Sequence, residues 1–559
     1  MPIPRNLKSI YIPIAFILLI FIDSCKKDPK VTPTNTDTSL SFTVNNSNNG
    51  TLKYTGLTQI PIIKFSFTEA INTATVATGI TLTDANGTNL AVVPTFADGN
   101  KTVSISPQNN LGSFLSYTLT VNDKLKSQGG GKVVNPVSIT LVSGLDEADK
   151  FPRITDDELL TLVQRQTFKY FWDFAHPTSG LARERNTSGD IVTTGGSGFG
   201  LMAIVTGISR NFITRAEGLA RMQKIVTFLK TKPTRYHGAY AHWLNGETGA
   251  TVPFSTKDNG ADLVETSYLM QGLITARQYF SNADAAETTL RNDINEIYNA
   301  VEWSWFRKDN GNVLYWHWSP NYNWDMNLPL QGWNEALTTY VMAAASPTYA
   351  IPKSVYDIGW SRNGAMKNGN TYYGVQLPLG VPGGGPLFIA QYAFLGINPT
   401  GLSDAYANYE TQNKAHTQIN YNYCVANPAK NVGYGPDCWG LTASDLPNNG
   451  YGASSPTNDK GVIAPTAALS SFPYTPTESM AALKFFYYKL GDKIWKDYGF
   501  VDAFSLNDPW FASSTLAIDQ GPIIIMIENH RSKLLWNLFM SAPEIKTGMR
   551  NLGFTGPSL

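Results

Sequence analysis

Gly144-Leu-Asp-Glu-Ala-Asp-Lys-Phe-Pro152, followed from Thr155 by Thr-Asp-Asp-Glu-Leu-Leu-Thr-Leu-Val-Gln-Arg-Gln-Thr-Phe-Lys-Tyr-Phe171, is where the chain changes its period. Before Gly144, apolar residues alternate with polar ones. Thr102-Val-Ser-Ile105 and Tyr117-Thr-Leu-Thr-Val121 do so cleanly, and Ile62-Ile-Lys-Phe-Ser-Phe67 imperfectly. A period of two turns one face of an extended strand towards a core. Asp84-Ala-Asn-Gly87 and Asp98-Gly-Asn100 read as turns. After Pro152, Leu159, Leu160, Val163, Phe168, Tyr170 and Phe171 recur with a helical period, and Asp156 or Thr155 can cap their start.

Working outward, about seven short strands between 39 and 143 predict an all-β sandwich. Downstream, helical stretches fall near 198–210, 214–231, 261–280, 284–305, 332–346, 385–396, 402–418, 463–471, 476–490, 521–538 and 542–551. With the first, they number about twelve, separated by long loops rich in Gly, Asn, Trp and Tyr. No fixed-period repeat argues for a solenoid. Six helical hairpins closed into a toroid fit better. The expected organisation is multidomain: leader 1–24, tether 25–38, sandwich 39–143, linker 144–152 and an all-α (α/α)6 barrel over 153–559.

The chain has 559 residues, too many for one core. Charged residues are only 15%, against roughly 25% in average soluble proteins. Aromatics reach 12%, with 13 Trp and 27 Tyr. Low charge and many aromatic faces suit neutral, hydroxyl-rich ligands, although large cores also consume Trp and Tyr. Lys+Arg and Asp+Glu are both 43, which offers no positive field for a nucleic acid. The six His form no H-x-x-x-H pair and there is no C-x-x-C, so no dedicated metal or redox site is expected.

Arg5 and Lys8 precede the apolar run Ile10–Ile22, a basic segment followed by a hydrophobic one. Ile22-Asp-Ser-Cys25 then resembles the lipobox of bacterial lipoproteins, with Lys26-Lys-Asp28 after it. That resemblance implies lipidation of Cys25, a membrane anchor and a cell-envelope location, on the outer membrane. Cys424 and Cys438 are compatible with a bridge or with two buried thiols.

The chemistry is densest in Phe254-Ser-Thr-Lys-Asp258-Asn-Gly-Ala-Asp262-Leu-Val-Glu265-Thr-Ser-Tyr268. Asp258, Asp262 and Glu265 are spaced i, i+4, i+7, on one face of a helix that Asp258 or Asn259 could cap. Crowded carboxylates cannot all ionise cheaply, so one should hold a proton near neutral pH. Such a division of acid and base is what glycoside hydrolysis requires. A solvated acidic face and a calcium site are the competing readings. Gln331-Gly-Trp333-Asn-Glu335 puts a second acid beside an indole. Gly433-Tyr-Gly-Pro-Asp-Cys-Trp439-Gly-Leu-Thr-Ala-Ser-Asp445 and Ile518-Asp519-Gln-Gly-Pro522 add further acids. Gly195-Gly-Ser-Gly198-Phe-Gly200 reads as tight helix packing rather than a phosphate loop, because no Walker lysine follows.

His237-Gly-Ala-Tyr-Ala-His242-Trp243-Leu, Lys257-Asp-Asn-Gly-Ala-Asp262-Leu-Val-Glu265-Thr-Ser, Gly435-Pro-Asp-Cys-Trp439-Gly-Leu-Thr-Ala-Ser-Asp445 and Gln520-Gly-Pro-Ile-Ile-Ile-Met-Ile-Glu528-Asn resemble glycoside hydrolase family 144. That family holds bacterial β-1,2-glucanases, and its domain often carries the label "glycoamylase". The resemblance spans about 153–559. It implies an (α/α)6 barrel, cleavage of β-1,2-glucan to sophorose or short oligosaccharides, inversion and no cofactor. It implies catalytic roles for Asp258, Asp262 and Glu265, with Glu335 as the acid. Trp243, Trp333, Trp439 and Tyr451 become expected sugar-stacking residues, with His242, Asp445 and Asp519 also on the substrate. Residues 39–143 resemble bacterial Ig-like domains through Phe65-Ser-Phe-Thr-Glu69 and Ser116-Tyr-Thr-Leu-Thr-Val121, a spacer more than a binding module. A surface glycan-binding lipoprotein and a hydrolase of another glucan remain the alternatives.

Overall fold

The computed structural model describes residues 35–559, so the leader and Cys25 lie outside the described residues. The chain divides into two compact units, one ending at Gly144 and one beginning at Leu145.

The first unit carries strands β1 (Leu40–Val44), β2 (Lys53–Leu57), β3 (Ile63–Phe67), β4 (Ile80–Asp84), β5 (Asn89–Leu90), β6 (Val92–Ala97), β7 (Thr102–Pro107), β8 (Ser116–Val121) and β9 (Val137–Ser143). They form two sheets, ordered β1-β3-β7-β6 and β2-β9-β8-β4-β5. Alternation places Ile63, Phe65 and Phe67 inside with Lys64 and Ser66 outside. The irregularity at Ile62 is resolved, since Ile62 precedes the strand and is exposed. Phe65, Val103, Leu119, Ile139 and Leu141 fill the space between the sheets.

The second unit is built on α1 (Asp156–Trp172), α2 (Thr194–Ser209), α3 (Arg215–Thr231), α4 (Leu263–Tyr279), α5 (Ala285–Asn299), α6 (Leu337–Ala345), α7 (Tyr409–Ala426), α8 (Pro465–Leu469), α9 (Pro476–Lys484), α10 (Ala517–Ser532), α11 (Leu534–Ser541) and α12 (Pro543–Leu552). Thr155 and Glu158 close a capping box on α1, and Thr214 with Glu217 does the same for α3. Two kinds of helix alternate. In α2, α4 and α6 nearly every residue is buried, whereas α1, α3 and α5 bury one stripe and wet the other. Helices buried on all sides belong to the interior of a large domain. α2 packs on both α4 and α10, α4 on α6, and α8 on α10.

The small residues of the glycine-rich stretch make this close approach possible. A methyl group at Gly198 would stand 2.2 Å from the Tyr268 carbonyl oxygen, and one at Gly272 would stand 2.1 Å from that of Gly198. Helices α2 and α4 therefore meet backbone to backbone. The expected helix at 385–396 is instead two short 3₁₀ turns, Leu387–Ala390 and Tyr392–Phe394, entered through Pro386. The expected 521–538 helix is broken, because Lys533 adopts a left-handed φ of 59° between α10 and α11. The helix expected over 402–418 begins later, where the Asn408 side chain caps α7 by accepting from the Thr411 N–H.

Candidate active site

The acidic motif does not sit on one helical face as its spacing suggests. Asp262 is itself the N-cap of α4, its Oδ1 accepting the Glu265 N–H at 2.9 Å. Asp258 lies in the preceding loop, and Glu265 in the first turn. A two-residue strand, Ala261–Asp262, pairs antiparallel with His317–Trp318, setting Asp262 opposite His317. The three acids still converge, through a loop and a ladder rather than helical periodicity.

Asp262 is fully buried and is the hub of the group. Its Oδ1 also accepts the Trp316 Nε1–H at 2.9 Å, and its Oδ2 pairs with His242 Nδ1 at 2.9 Å and His317 Nε2 at 3.6 Å. His317 Nε2 also reaches Asp258 Oδ2 at 3.2 Å. Burial alone would favour the neutral acid, but the hydrogen bonds from His242 and His317 overcome it and hold Asp262 well below the usual carboxylate range. Burial works against charge on His242 too, yet Glu265, Asp262 and Asp258 raise it to about 9. His317 is likewise lifted to about 9, against burial, by Asp258 and Asp262. The result is a buried cluster of opposed charges. His242, Asp258 and Asp262 offer ligand atoms within 4.8 Å of one another, so they are the group among the described residues that could hold a cation. Two protonated imidazoles already supply positive charge there.

Glu265 behaves differently. Burial and the Asp262 charge push its carboxyl up, while His242, the Gly195 N–H (2.7 Å) and the Thr193 hydroxyl (3.3 Å) pull it down. Glu335 sits in the turn just before α6, and the Tyr268 hydroxyl donates to its carbonyl at 3.0 Å. Burial first, and the Asp262 and Glu265 charges after it, push the Glu335 carboxyl up to about 7. It can therefore hold a proton near neutral pH and release it.

A second group of acids gathers in the same unit. Asp445 and Tyr451 are opposed partners on the hairpin Ala443–Leu446/Gly450–Ala453, turned by Asn448 and Asn449 at φ 67° and 60°. The stretch 433–442 before it has neither helix nor strand, and the ladder begins at Ala443. Asp445 accepts from Ser514 Oγ at 2.5 Å and from Arg185 Nη1 at 3.3 Å, and its own N–H donates to Asp502 Oδ2 at 2.6 Å. A cavity of about 440 Å³ opens here, lined by Arg185, Asp445, Asn449, Tyr451, Trp510 and Ser514 among others. Asp502, tied to Asp445 by that N–H bond, and Asp519 are both buried and within hydrogen-bonding reach of each other. Both groups are felt at one residue: burial first, and then Asp519, Tyr451, Tyr268 and Glu335, push the Tyr392 phenol up.

Several sequence expectations need correction. Trp439 has no exposed surface and spends its Nε1–H on the Glu478 carbonyl at 3.1 Å, so no face remains for a sugar. Trp333 packs against Phe394 and Tyr409 in the core, with Gly380 close against its ring. Asp519 is buried and is not among the residues lining the cavity at Arg185 and Asp445. Trp243 remains partly open, its ring against Phe254 and His242. Cys424 and Cys438 are both free and buried. Sequence reasoning missed His317, Arg185 and Asp502. His317 stands between two indoles in Trp316-His-Trp318, and Asp502 interrupts the apolar run Phe500-Val-Asp-Ala-Phe504. A polar residue inside an aromatic or apolar run was the available signal.

A proton-holding acid, several counter-carboxylates and an aromatic-lined opening on a helical scaffold define a site of the glycoside-hydrolase class. Residues 327–543 match the family model described as "Putative glucoamylase", and residues 27–141 match "Bacterial Ig-like domain". The chain is 51% identical to an endo-β-1,2-glucanase from Chitinophaga pinensis, seen with sophorotriose and glucose; the match covers 73% of this chain and all of that one, with a TM-score of 0.71. It is 39% identical to a β-1,2-glucanase from Parabacteroides distasonis, covering 89% of this chain and 72% of that one, with a TM-score of 0.70. It is 47% identical over 422 residues to an exo β-1,2-glucooligosaccharide sophorohydrolase (non-reducing end) of Parabacteroides distasonis. That match takes in 71% of this chain but only 58% of the relative's length. The chain belongs to the bacterial β-1,2-glucanase family, glycoside hydrolase family 144, with an Ig-like domain ahead of the catalytic one.

Proposed function

We propose that this protein hydrolyses β-1,2-glucan to sophorose or short β-1,2-glucooligosaccharides, with inversion. The observation that carries the mechanism is Glu335, an acid held near pH 7 by burial and by the Asp262 and Glu265 charges. It protonates the glycosidic oxygen as the bond breaks. Water attacks from the opposite side and needs a carboxylate there. Asp262 does not serve, since both its oxygens are taken by His242, Trp316, His317 and the Glu265 N–H. Its role is to position Glu265 and the two imidazoles. Asp519, whose charge is felt at Tyr392 as that of Glu335 is, is our choice for the base, through its pairing with Asp502. The cavity between Arg185, Asp445, Tyr451 and Trp510 supplies aromatic and charged contacts for a neighbouring glucosyl unit.

The scaffold reading is an (α/α)6 barrel. Its support is a continuous inner ring: α2 packs on α4, α4 on α6, Thr338 of α6 donates to Ala393, Gln391 donates to Ala467 of α8, and α8 packs on α10, which returns to α2. Lipidation at Cys25, and with it an outer-membrane location, is a further proposal resting on the leader sequence. Fatty-acid labelling of wild type and Cys25→Ser tests it, and equal labelling would refute it. The activity is tested by product analysis on linear β-1,2-glucan beside starch and β-1,3-glucan. Sophorose or short β-1,2-oligosaccharides, lost in Glu335→Gln, are expected. Cleavage of starch alone would overturn the substrate, and full activity in Glu335→Gln would overturn the acid.

A further inference from the structure

Two buried carboxylate oxygens in the second acid group have no donor. Asp502 Oδ1 and Asp519 Oδ2 are both shut off from solvent and receive no hydrogen bond from an N–H or O–H. The other Asp502 oxygen is engaged, accepting the Asp445 N–H at 2.6 Å. The two side chains are nevertheless in hydrogen-bonding reach of each other. Two ionised carboxylates cannot hydrogen-bond, because each offers only acceptors. Left charged and unpaired at this depth, they would repel in a poorly solvated site. One proton between them removes both orphan acceptors at once.

We propose that Asp502 and Asp519 share a single proton, and that Asp502 is the positioning residue through which Asp519 accepts a proton from the attacking water. This rests on the reading of Asp519 as the base. The step balances. The water O–H breaks and its proton goes to Asp519, the shared proton passes to Asp502, and the water oxygen bonds to the anomeric carbon. The anomeric carbon–oxygen bond breaks, and its electron pair takes the proton of Glu335. The pair ends with two protons and Glu335 with none, and solvent exchange restores both.

The surroundings agree. Asp502 is raised to about 6, chiefly by burial, with the Asp445 charge adding and the Asp519 hydrogen bond, the Asp445 N–H and Arg185 opposing. Asp519 is also driven up, by burial first and then by Asp502 and Asp445, with Arg185 opposing. Arg185 is itself shared with Glu184 and Asp445. The charge of Asp519 is also felt at the phenols of Tyr170, Tyr392 and Tyr451. The pair is thus monoanionic above about pH 6 and neutral below it, which sets the acid limb of activity.

The test compares Asp502→Asn and Asp519→Asn with wild type. Asparagine at 502 keeps an N–H donor to Asp519 but holds no transferable proton. Asp502→Asn is expected to lower kcat by about tenfold or more with KM little changed, and to move the acid limb of kcat/KM down by about one pH unit. The carboxylic-acid C=O stretch, read as an infrared difference spectrum against wild type at pH 7, should lose one band. If Asp502→Asn fails to fold, the same band should be missing in Asp519→Asn. An unchanged limb and an unchanged band would overturn the shared proton. Full activity in Asp519→Asn would overturn the base assignment instead. An inactive Asp519→Asn beside an Asp502→Asn of wild-type kcat and pH profile would leave the base standing and remove the role given to Asp502.

Discussion

Replacing Asp262 by Asn takes one negative charge from beside two imidazolium rings and leaves the shape of the site almost unchanged. Asn can still accept the Trp316 and Glu265 N–H groups on its oxygen. Its amide then turns N–H donors towards His242 and His317, where Asp262 presented an acceptor. Both imidazoles are held at about 9, from an ordinary 6.5. A shift of that size corresponds to about 3 kcal/mol for each ring at about 1.36 kcal/mol per pH unit. Glu265 is the first charge raising His242 and Asp258 the first raising His317, so Asp262→Asn removes only part of each shift, and about 1–3 kcal/mol is the expected loss for the pair together. The sign follows from proton linkage. A raised imidazole binds protons more tightly when folded, so its stabilisation is complete below about pH 6.5 and disappears as pH rises through about 9. Wild type should therefore lose stability across that window, and Asp262→Asn should be less stable at pH 6.5 with a shallower slope above it. Tryptophan fluorescence during urea unfolding is the assay, because all 13 Trp lie beyond Leu145 and report the helical unit alone. Wild-type stability at pH 6.5 together with a wild-type slope would refute the charge cluster.

Activity should fall as pH rises through about 7, as Glu335 loses the proton it must donate; Glu335→Gln should cut kcat by about 10²–10⁴-fold and erase that limb in the pH profile of kcat/KM. Gly198→Ala should abolish soluble folding or cost several kcal/mol in the fluorescence melt, because the new methyl would meet the Tyr268 carbonyl at 2.2 Å. Trp439→Ala should cost about 3–5 kcal/mol of stability, as large core truncations do. It should leave KM for short β-1,2-glucooligosaccharides unchanged, since the indole is enclosed by protein.

The division into a β unit and a helical unit was legible because the period changes within a few residues of Gly144, and periodicity reports which face is buried. The start of the first helix was also legible, Thr155 being one of the two caps its sequence offers, since the capping chemistry is local. The segment at 385–396 was not, because its apolar run is compatible with a helix while Pro386 and tertiary packing turn it into two short 3₁₀ turns. At the site, sequence spacing found Asp258, Asp262 and Glu265 for a reason that does not hold in three dimensions. Their common face was inferred from a helix that begins only at Leu263. Asp262 reaches His317 across a two-residue ladder 55 positions away, which no local pattern encodes. Trp333 and Trp439 failed as sugar contacts because an indole is at home both in a cleft and in a core, and only burial separates the two.

The two acid groups reach opposite protonation states by one rule. Desolvation raises every buried carboxyl, and the sign of the neighbours decides whether that survives. Asp262 has His242 and His317 beside it and stays ionised. Glu335 and Asp519 have carboxylates beside them and move up. The two imidazoles therefore bear on the proposed acid through Asp262. They let Asp262 remain a charge that adds, after burial, to the rise of the Glu335 carboxyl, and so to the proton that the proposed mechanism needs there. Removing either should lower the Glu335 limb by relaxing Asp262 towards its neutral form, so His317→Ala should shift the basic limb of kcat/KM to lower pH. A limb that stays near 7 in that variant would mean that burial, not the Asp262 charge, sets the acid.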